Sequence, residues 1–270
     1  MKQAYVIAFA NQKGGVGKTM STENIGVGFA KKGKTVLVID LDAQANLTTG
    51  FGYNPDEIDK TISDLLEKIV KNDGEFDPEF DMDAYILHTD EGVDLLPSDI
   101  NLAGVETAFQ GVEIGREQLL RQITEYMKSQ YDYILLDCPP SLGSMTVNSL
   151  TAADGVIIPM QAAKYSFDGS KQLIRIISKV KKLFNPMLKI EGIMITMFDG
   201  RTKHSKEVAA GLNEIYGDQI RIFDHRIPYS IRASESNFEG KSIFTHDPKG
   251  KIAQAYAGCV KEILDGEMER

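Results

Sequence analysis

Residues 4–19 read AYVIAFANQKGGVGKT, a short apolar run followed by a glycine-rich turn that ends in Lys-Thr. The apolar run is typical of a buried β-strand, and the turn stands at the predicted start of a helix. Glycines let backbone N–H groups turn inward around an anion, and the N-terminus of the helix adds a positive field. The stretch therefore predicts a strand, a phosphate-binding loop and a helix in that order.

The glycine-rich turn predicts a nucleotide-binding site. In such a loop Lys18 reaches the β- and γ-phosphates, and the Thr19 hydroxyl takes a coordination position on Mg²⁺. Gln12 stands where the general pattern GxxxxGK[ST] has its first glycine, and a second lysine, Lys13, follows it. The residues that we expect to contact the nucleotide here are Gly14, Gly15, Val16, Gly17, Lys18, Thr19 and Met20.

Two further predicted strands lead directly into carboxylates. The run at 35–39 precedes Asp40 and Asp42, and the run at 133–136 precedes Asp137. Carboxylates at strand ends beside a phosphate loop can orient a water for attack or hold Mg²⁺. The pattern therefore predicts a magnesium site formed by Thr19, Asp42 and Asp137.

Apolar, β-branched runs alternate with helical patterns along the chain. The predicted strands are 4–10, 35–39, 93–96, 132–137, 155–160 and 189–197. The predicted helices are 18–32, 61–71, 99–109, 116–129, 143–153, 166–184, 203–216 and 249–265. This alternation predicts an α/β fold, a doubly wound and mostly parallel sheet flanked by helices, with ligands at the carboxyl ends of the strands. We expect a single domain over 1–270, with the acidic segment 72–94 as a solvated surface excursion.

The composition excludes several classes of protein. The chain is 42% hydrophobic and 26% charged, as expected for a globular domain with an ample core. Cys138 and Cys259 lack metal-type spacing, which disfavours a zinc site or a disulfide scaffold and fits a reducing cytosol. The sequence has no apolar run long enough for a membrane span, and the early first strand predicts that no secretion signal is present.

Together the motifs resemble those of the deviant-Walker-A ATPases of the ParA/Soj/MinD group. The three nucleotide motifs that carry the resemblance are KGGVGKT at 13–19, DLDAQAN at 40–46 and DCPPS at 137–141. Similarity to ParA and Soj partition ATPases continues through LPS at 96–98, MFDGRT at 197–202 and the stretch 227–235. The resemblance implies a P-loop NTPase fold of the deviant Walker A type over nearly the whole chain.

The resemblance also implies roles for single residues. Lys13 would be the signature lysine that reaches across a dimer interface to the partner's ATP, and it would act in catalysis with Lys18 and Asp42. Asp42 would position the attacking water, and Asp137 would be the Walker-B acid. ATP and Mg²⁺ are the implied cofactors, and Pro228 is expected to be a further nucleotide contact. A second cation near the γ-phosphate would neutralise the charge that develops in phosphoryl transfer.

The chain departs from the family pattern at two places. Ala43 stands where the family usually has proline, which loosens the turn after Asp42 without removing its carboxylate. Ala163 and Lys164 occupy a stretch where an acidic residue is common, so the role of that acid in relatives does not carry over.

The charge distribution suggests a nucleic-acid partner. The net charge is −9, but residues 1–160 are strongly acidic whereas residues 161–270 carry a small basic excess. Four basic residues form one stripe on the predicted helix 166–184, and these are Lys171, Arg175, Lys179 and Lys182. The resemblance adds Arg201 and Arg232, which lie where Soj-like proteins carry DNA-contacting arginines, with Lys203 beside Arg201. Binding through these residues would be to phosphates, with little sequence readout and a strong salt dependence.

The sequence favours a DNA-segregation ATPase among four alternatives. Such a protein would form an ATP-dependent homodimer that binds DNA nonspecifically. It would be cytoplasmic and associated with the nucleoid, and a ParB-like centromere-binding partner would release it from the DNA. A MinD-like membrane-cycling ATPase is the alternative, but the acidic C-terminal stretch disfavours it, and we expect no membrane partner. An iron–sulfur reductase is disfavoured because it would need paired cysteines near the interface. A non-enzymatic, nucleotide-gated scaffold is disfavoured because the two candidate hydrolytic carboxylates, Asp42 and Asp137, are both present. From the early first strand we expect no N-terminal helix-turn-helix domain, as in the short partition ATPases.

Overall fold

The computed structural model describes residues 3–162 and 166–268, with the side chains of 166–169 and 267–268 left out of that description. The departure at Ala163 and Lys164 therefore lies outside the described residues. Within these limits, helices flank both faces of one sheet.

A seven-stranded sheet lies at the centre of the described residues. Its strands are β1 (Tyr5–Phe9), β2 (Val36–Asp40), β3 (Leu87–His88), β4 (Asp94–Leu96), β5 (Tyr133–Asp137), β6 (Gly155–Gln161) and β7 (Lys189–Thr196). Their order is β3-β4-β2-β5-β1-β6-β7, and every neighbouring pair is parallel except β3 with β4. The predicted doubly wound, mostly parallel α/β fold is confirmed.

The helices follow the strands along the chain. The α-helices of the described residues are α1 (Lys18–Ala30), α2 (Asn46–Gly50), α3 (Ile62–Lys71), α4 (Leu102–Ala108), α5 (Leu119–Met127), α6 (Ser144–Ala152), α7 (Ser166–Leu183), α8 (Lys203–Tyr216), α9 (Ile231–Phe238), α10 (Ile243–His246) and α11 (Lys251–Met268). Short 3₁₀ turns cover Pro55–Glu57, Met82–Tyr85 and Phe109–Gly111. None of the helices in the described ranges combines the length and apolar character needed to cross a bilayer.

The sequence patterns missed four elements: α2, α9, α10 and β3. Each is short, and α9 has only Ser236 buried, so no apolar period marks it. The acidic segment 72–94 is also less solvated than predicted, because Met82 and Tyr85 are buried and β3 adds an antiparallel edge to the sheet.

The core lies in two layers, one on each face of the sheet. Along β1, Val6 and Ala8 face one layer, whereas Ile7 and Phe9 face the other. Side chains of a strand alternate between faces, so burial on both faces explains why the strand runs do not alternate in polarity. Fully burying each large apolar side chain contributes about 1.5–3 kcal/mol. On the second face Gly28 of α1 permits close packing of α11, since a Cβ there would lie 2.5 Å from Val260 Cγ2.

The strand order brings the predicted site residues to one edge of the sheet. β5 lies between β1 and β2, and its last residue, Asp137, is in register with Phe9 on one side and Asp40 on the other. The glycine-rich loop follows β1 at the same edge. The carboxyl ends of neighbouring parallel strands thus place the loop and the carboxylates together, where ligands bind in open α/β sheets.

Candidate nucleotide-binding site

The glycine-rich loop has the backbone conformation of an anion cradle. Gly15 and Gly17 have φ of +68° and +85°, a left-handed region that side chains with a Cβ rarely adopt. Gly17 is the N-cap of α1, and no side chain of the described residues caps that end. The first N–H groups of α1 therefore face the loop and carry the positive end of the helix dipole toward an anion.

Neighbouring strands hold the loop in place. The Thr196 hydroxyl at the end of β7 donates to the Val16 carbonyl at 2.7 Å. Asn11 accepts from the Lys13 N–H at 3.0 Å and donates to the Pro159 carbonyl at 2.8 Å. The sequence patterns did not identify Thr196 or Asn11, because their roles depend on which strands lie beside β1.

The two loop lysines have different surroundings. Lys18 is buried, and its Nζ lies 3.3 Å from the Lys13 carbonyl oxygen. Burial lowers the pKa of Lys18, although the nearby Asp137 carboxyl acts in the opposite direction. Lys13 is exposed, and its Nζ donates to Gln161 at 3.3 Å. One lysine thus points into the site, whereas the other lies on the surface beside it.

Asp40 and Asp137 form a buried pair on adjacent strands. Asp40 accepts from the backbone N–H and the hydroxyl of Thr48, at 2.9 and 2.8 Å. Asp137 accepts from the Thr22 hydroxyl at 3.3 Å, and the Thr19 hydroxyl also bonds to it. Burial, with repulsion from Asp40, raises the pKa of Asp137 to about 8, and burial raises that of Asp40 to about 6.

The carboxylates and Thr19 fit a magnesium ion that is held mainly by phosphate oxygens. Oδ2 of Asp137 is buried and has no hydrogen-bond partner among the described residues. Asp42 is half-buried, and its Oδ1 accepts from the Gln44 N–H at 3.1 Å. No cluster of three or more His, Cys, Asp or Glu side chains suited to a metal occurs in the described ranges. Mg²⁺ typically uses only one or two carboxylates together with phosphates and water, so such a cluster is not required.

A cavity of about 570 Å³ opens beside the loop. Its size suits a small-molecule ligand. Seven of the eight predicted nucleotide contacts line it, together with Asp42; the seven are Gly14, Gly15, Gly17, Lys18, Thr19, Met20 and Pro228. The eighth, Val16, has a buried side chain. The sequence patterns missed other lining residues, which include Met197, Ala233, Asn237 and Tyr256.

The predicted DNA-contacting residues are exposed, but they lie on three different helices or their flanks. Arg201 forms two 2.9 Å bonds to Asp199 just before α8, and Lys203 is the first residue of α8. Arg232 is on α9, with its Nε 3.6 Å from Asp247 Oδ2. Lys171 and Arg175 are exposed on α7. Arg201 is thus already paired with a carboxylate, which sequence reasoning did not anticipate.

Both cysteines are buried within the fold. Cys138 follows β5 and Cys259 lies on α11, with 1% and 0% of their surfaces exposed. Burial raises the pKa of Cys138 to about 12. These positions disfavour the iron–sulfur alternative, because a bridging cluster needs thiolates at the surface that two subunits share.

Glu23 is a buried carboxyl on α1, one turn beyond Thr19. Its surface is 0% exposed, and its Oε1 has no hydrogen-bond partner in the part of the chain that the structure describes. Burial raises the pKa of Glu23 well above its usual value, and the nearby carboxyls of Glu91 and Asp137 add to the shift. The folded protein therefore holds a proton on Glu23 that the unfolded chain releases above pH 4.5.

We expect Glu23→Gln to stabilise the fold at neutral pH, by about 1–3 kcal/mol. The pKa of Glu23 is higher in the folded protein than in the unfolded chain. Its contribution to the free energy of unfolding is therefore fully present only below the pKa of the unfolded chain, and it is lost as the pH rises toward the pKa of the folded protein. Glu23 therefore contributes a slope of up to about 1.4 kcal/mol per pH unit in this range. Urea unfolding at pH 5 and pH 8 measures the effect, with Glu113→Gln on the exposed surface as control. Parallel pH profiles for wild type and Glu23→Gln would contradict the assignment.

Comparison with known proteins places this geometry among nucleotide-binding proteins. A family model described as an AAA domain matches residues 4–190. The chain is 38% identical to the sporulation initiation inhibitor protein Soj of Bacillus subtilis, over 96% of this chain and 97% of that protein. It is also 38% identical to the chromosome partitioning protein ParA of Caulobacter vibrioides, over 98% of this chain and 96% of that protein.

A solved structure adds the ligand. A Mycobacterium smegmatis protein described as cobyrinic acid a,c-diamide synthase, with bound ATP analog and magnesium, matches with a TM-score of 0.82 at 34% identity. The match covers 97% of this chain and 94% of that one.

Proposed function

Because this chain belongs to the family of ParA- and Soj-type ATPases, we propose that it segregates DNA through a cycle of ATP-dependent assembly. The chain is an ATPase that uses ATP with Mg²⁺. In the proposed cycle it dimerises on ATP, binds DNA without sequence preference and leaves the DNA when a ParB-like partner stimulates hydrolysis. It acts as one P-loop ATPase domain in the cytoplasm, associated with the nucleoid.

The geometry of the loop supports the roles that we propose within the site. Lys18 and the N–H groups at the start of α1 bind the phosphates, and the cavity wall that includes Met20 and Pro228 encloses the rest of the nucleotide. Thr19 and Asp137, whose side chains are hydrogen-bonded to each other, would hold Mg²⁺, with Asp42 on the cavity lining as a further carboxylate. When bound, the ion neutralises charge on the phosphate oxygens. Asp42 orients the water that attacks the γ-phosphate.

One observation carries the link from nucleotide to DNA: α9 serves both surfaces. Ala233 and Asn237 on one side of α9 line the cavity, and the neighbouring Arg232 is exposed to solvent. A nucleotide that contacts this helix can thus alter the position of a basic residue on the surface. Arg201 just before α8, Lys203 on α8, and Lys171 and Arg175 on α7 are the other exposed basic residues of the proposed DNA contact.

We expect Arg201→Glu and Arg232→Glu each to weaken DNA binding more than tenfold while leaving ATP affinity unchanged. Removal of a phosphate contact lowers affinity for all sequences alike and reduces the salt slope by about 1. Fluorescence anisotropy with random duplexes at several salt concentrations measures both effects. Arg121→Glu, an exposed reversal on α5, is the matched control. Undiminished DNA affinity in both test variants would refute the proposed DNA surface.

Co-sedimentation distinguishes the proposal from its alternatives. ATP-dependent retention on DNA but not on anionic liposomes supports the segregation role, and the reverse result supports a MinD-like membrane cycle. The M. smegmatis relative is named for a synthesis in which a carboxylic acid is converted to an amide. Hydrolysis of ATP by this chain when no such acid is present would separate the proposed role from that synthesis.

A further inference from the structure

The segment between α8 and α9 forms part of the cavity wall. It first runs beside β7, where Phe223 N donates to the Ile193 carbonyl at 3.0 Å. It returns to β7 at Ile227, whose N–H donates to the Ile195 carbonyl at 2.8 Å. Residues 224–226 lie between these two contacts, and residues 227–229 line the cavity.

The wall formed by 227–229 is suited to a base or ribose and not to phosphate. Pro228 has no N–H group, and the N–H groups of Ile227 and Tyr229 already donate to β7 and to the Phe198 carbonyl. The backbone of this wall therefore offers no donor to an anion. Phosphate contacts are instead available at the glycine-rich loop, which also lines the cavity.

Glu262 on α11 holds the part of the segment that leaves β7. One oxygen of its carboxylate accepts from Arg221 Nη2 and from the Asp224 N–H, both at 3.0 Å. The other accepts from the His225 N–H at 3.0 Å and lies 2.7 Å from His225 Nδ1. Burial alone would raise the pKa of Glu262, but these N–H groups and Arg221 outweigh it and lower the pKa. The carboxylate is thus the ionised centre of the turn.

Another part of α11, nearer its N-terminus, lies at the cavity. Tyr256 lines the cavity, and its hydroxyl lies 3.3 Å from the Ser21 hydroxyl on α1. Gly258 lets the His225 ring rest on the helix backbone, since a Cβ there would lie 2.1 Å from the ring. The helix therefore joins α1 to the turn at 224–226.

We propose that Glu262 is a positioning residue for the nucleotide: through Asp224 and His225 it sets the 227–229 wall against the base and ribose. It does not contact the ligand itself. The inference rests on the proposed nucleotide site, and it assigns to α11 the placement of one wall of that site.

Kinetics with two ligands test the inference. Glu262→Ala should raise KM for ATP about tenfold with kcat changed less than twofold, because a shifted wall weakens substrate binding without moving the catalytic carboxylates. Competitive inhibition by inorganic pyrophosphate, which needs only the glycine-rich loop, should be unchanged. Asp265→Ala, an exposed change on the same helix, is the matched control and should alter neither KM for ATP nor the inhibition by pyrophosphate.

Milder variants keep the test informative if the alanine variant folds poorly. Glu262→Gln retains one acceptor oxygen and should give an intermediate KM, and His225→Ala removes one side-chain contact and should raise KM about threefold. Equal losses of affinity for ATP and for pyrophosphate would overturn the positioning role. A lower Tm with an unchanged KM for ATP and unchanged inhibition by pyrophosphate would overturn it as well. A wild-type protein that binds pyrophosphate but not ATP would instead contradict the proposed nucleotide site.

Discussion

Lys13→Ala is expected to abolish ATP-dependent dimerisation and to lower the rate of hydrolysis by about 10³-fold. The Lys13 side chain is exposed beside the cavity, where a second subunit's phosphates could meet it, whereas its backbone groups hold the loop through Asn11 and Lys18. Alanine keeps those backbone contacts and removes only the surface cation. ATP binding to the monomer should therefore survive.

Sedimentation velocity with and without ATP measures the dimer, and equilibrium dialysis measures ATP binding. Lys31→Ala, an exposed lysine at the far end of α1, is the control for loss of one positive charge. Lys13→Arg retains the charge and should preserve part of the dimerisation. An intact ATP dimer in Lys13→Ala would show that this lysine does not act across an interface.

Asp42→Ala is expected to reduce kcat by about 10²–10⁴-fold while ATP binding and dimerisation persist. Asp42 lines the cavity, and its Oδ1 accepts one hydrogen bond, from the Gln44 N–H. Loss of the carboxylate should therefore remove the group that orients water without collapsing the site. Because the Asp42→Ala protein should bind ATP without hydrolysing it, we expect it to stay on DNA after the partner is added.

Single-turnover hydrolysis and DNA retention together test this prediction. Asp42→Asn keeps an oxygen that can accept from the Gln44 N–H, so it separates the charge of Asp42 from its role in the turn. Asp56→Ala, an exposed carboxylate in a 3₁₀ turn, is the control. Wild-type turnover in Asp42→Ala would assign water orientation to another group.

The chemistry of the phosphate end was predictable because it resides in contiguous motifs. The glycine loop forms from residues adjacent in sequence, and Gly15 and Gly17 adopt the left-handed conformations that a cradle requires. Asp42 and Asp137 were identified because a carboxylate after a buried strand falls at the ligand edge of a parallel sheet. The order of the strands was not needed for either prediction.

The rest of the site was less predictable, since its elements carry weak local signals. α9 lacks an apolar period, yet it lines the cavity through Ala233 and Asn237. Thr48 binds the buried Asp40 carboxyl from a five-residue helix, and Glu23 occupies a buried position within a helix whose pattern predicted only its existence. These contacts join residues that are distant in the chain or depend on how neighbouring helices pack.

The sequence by itself determined the α/β class, the phosphate loop and the carboxylates beside it, because these follow from local conformation and strand ends. Only the tertiary structure decided which carboxyl groups are buried with raised pKa values, which lysine faces the surface and which helix supports the cavity wall. Lys13 and Lys18 are five residues apart, but one is exposed and the other buried. Burial and hydrogen-bond partners set their electrostatics, and those depend on strands and helices that only the fold brings together.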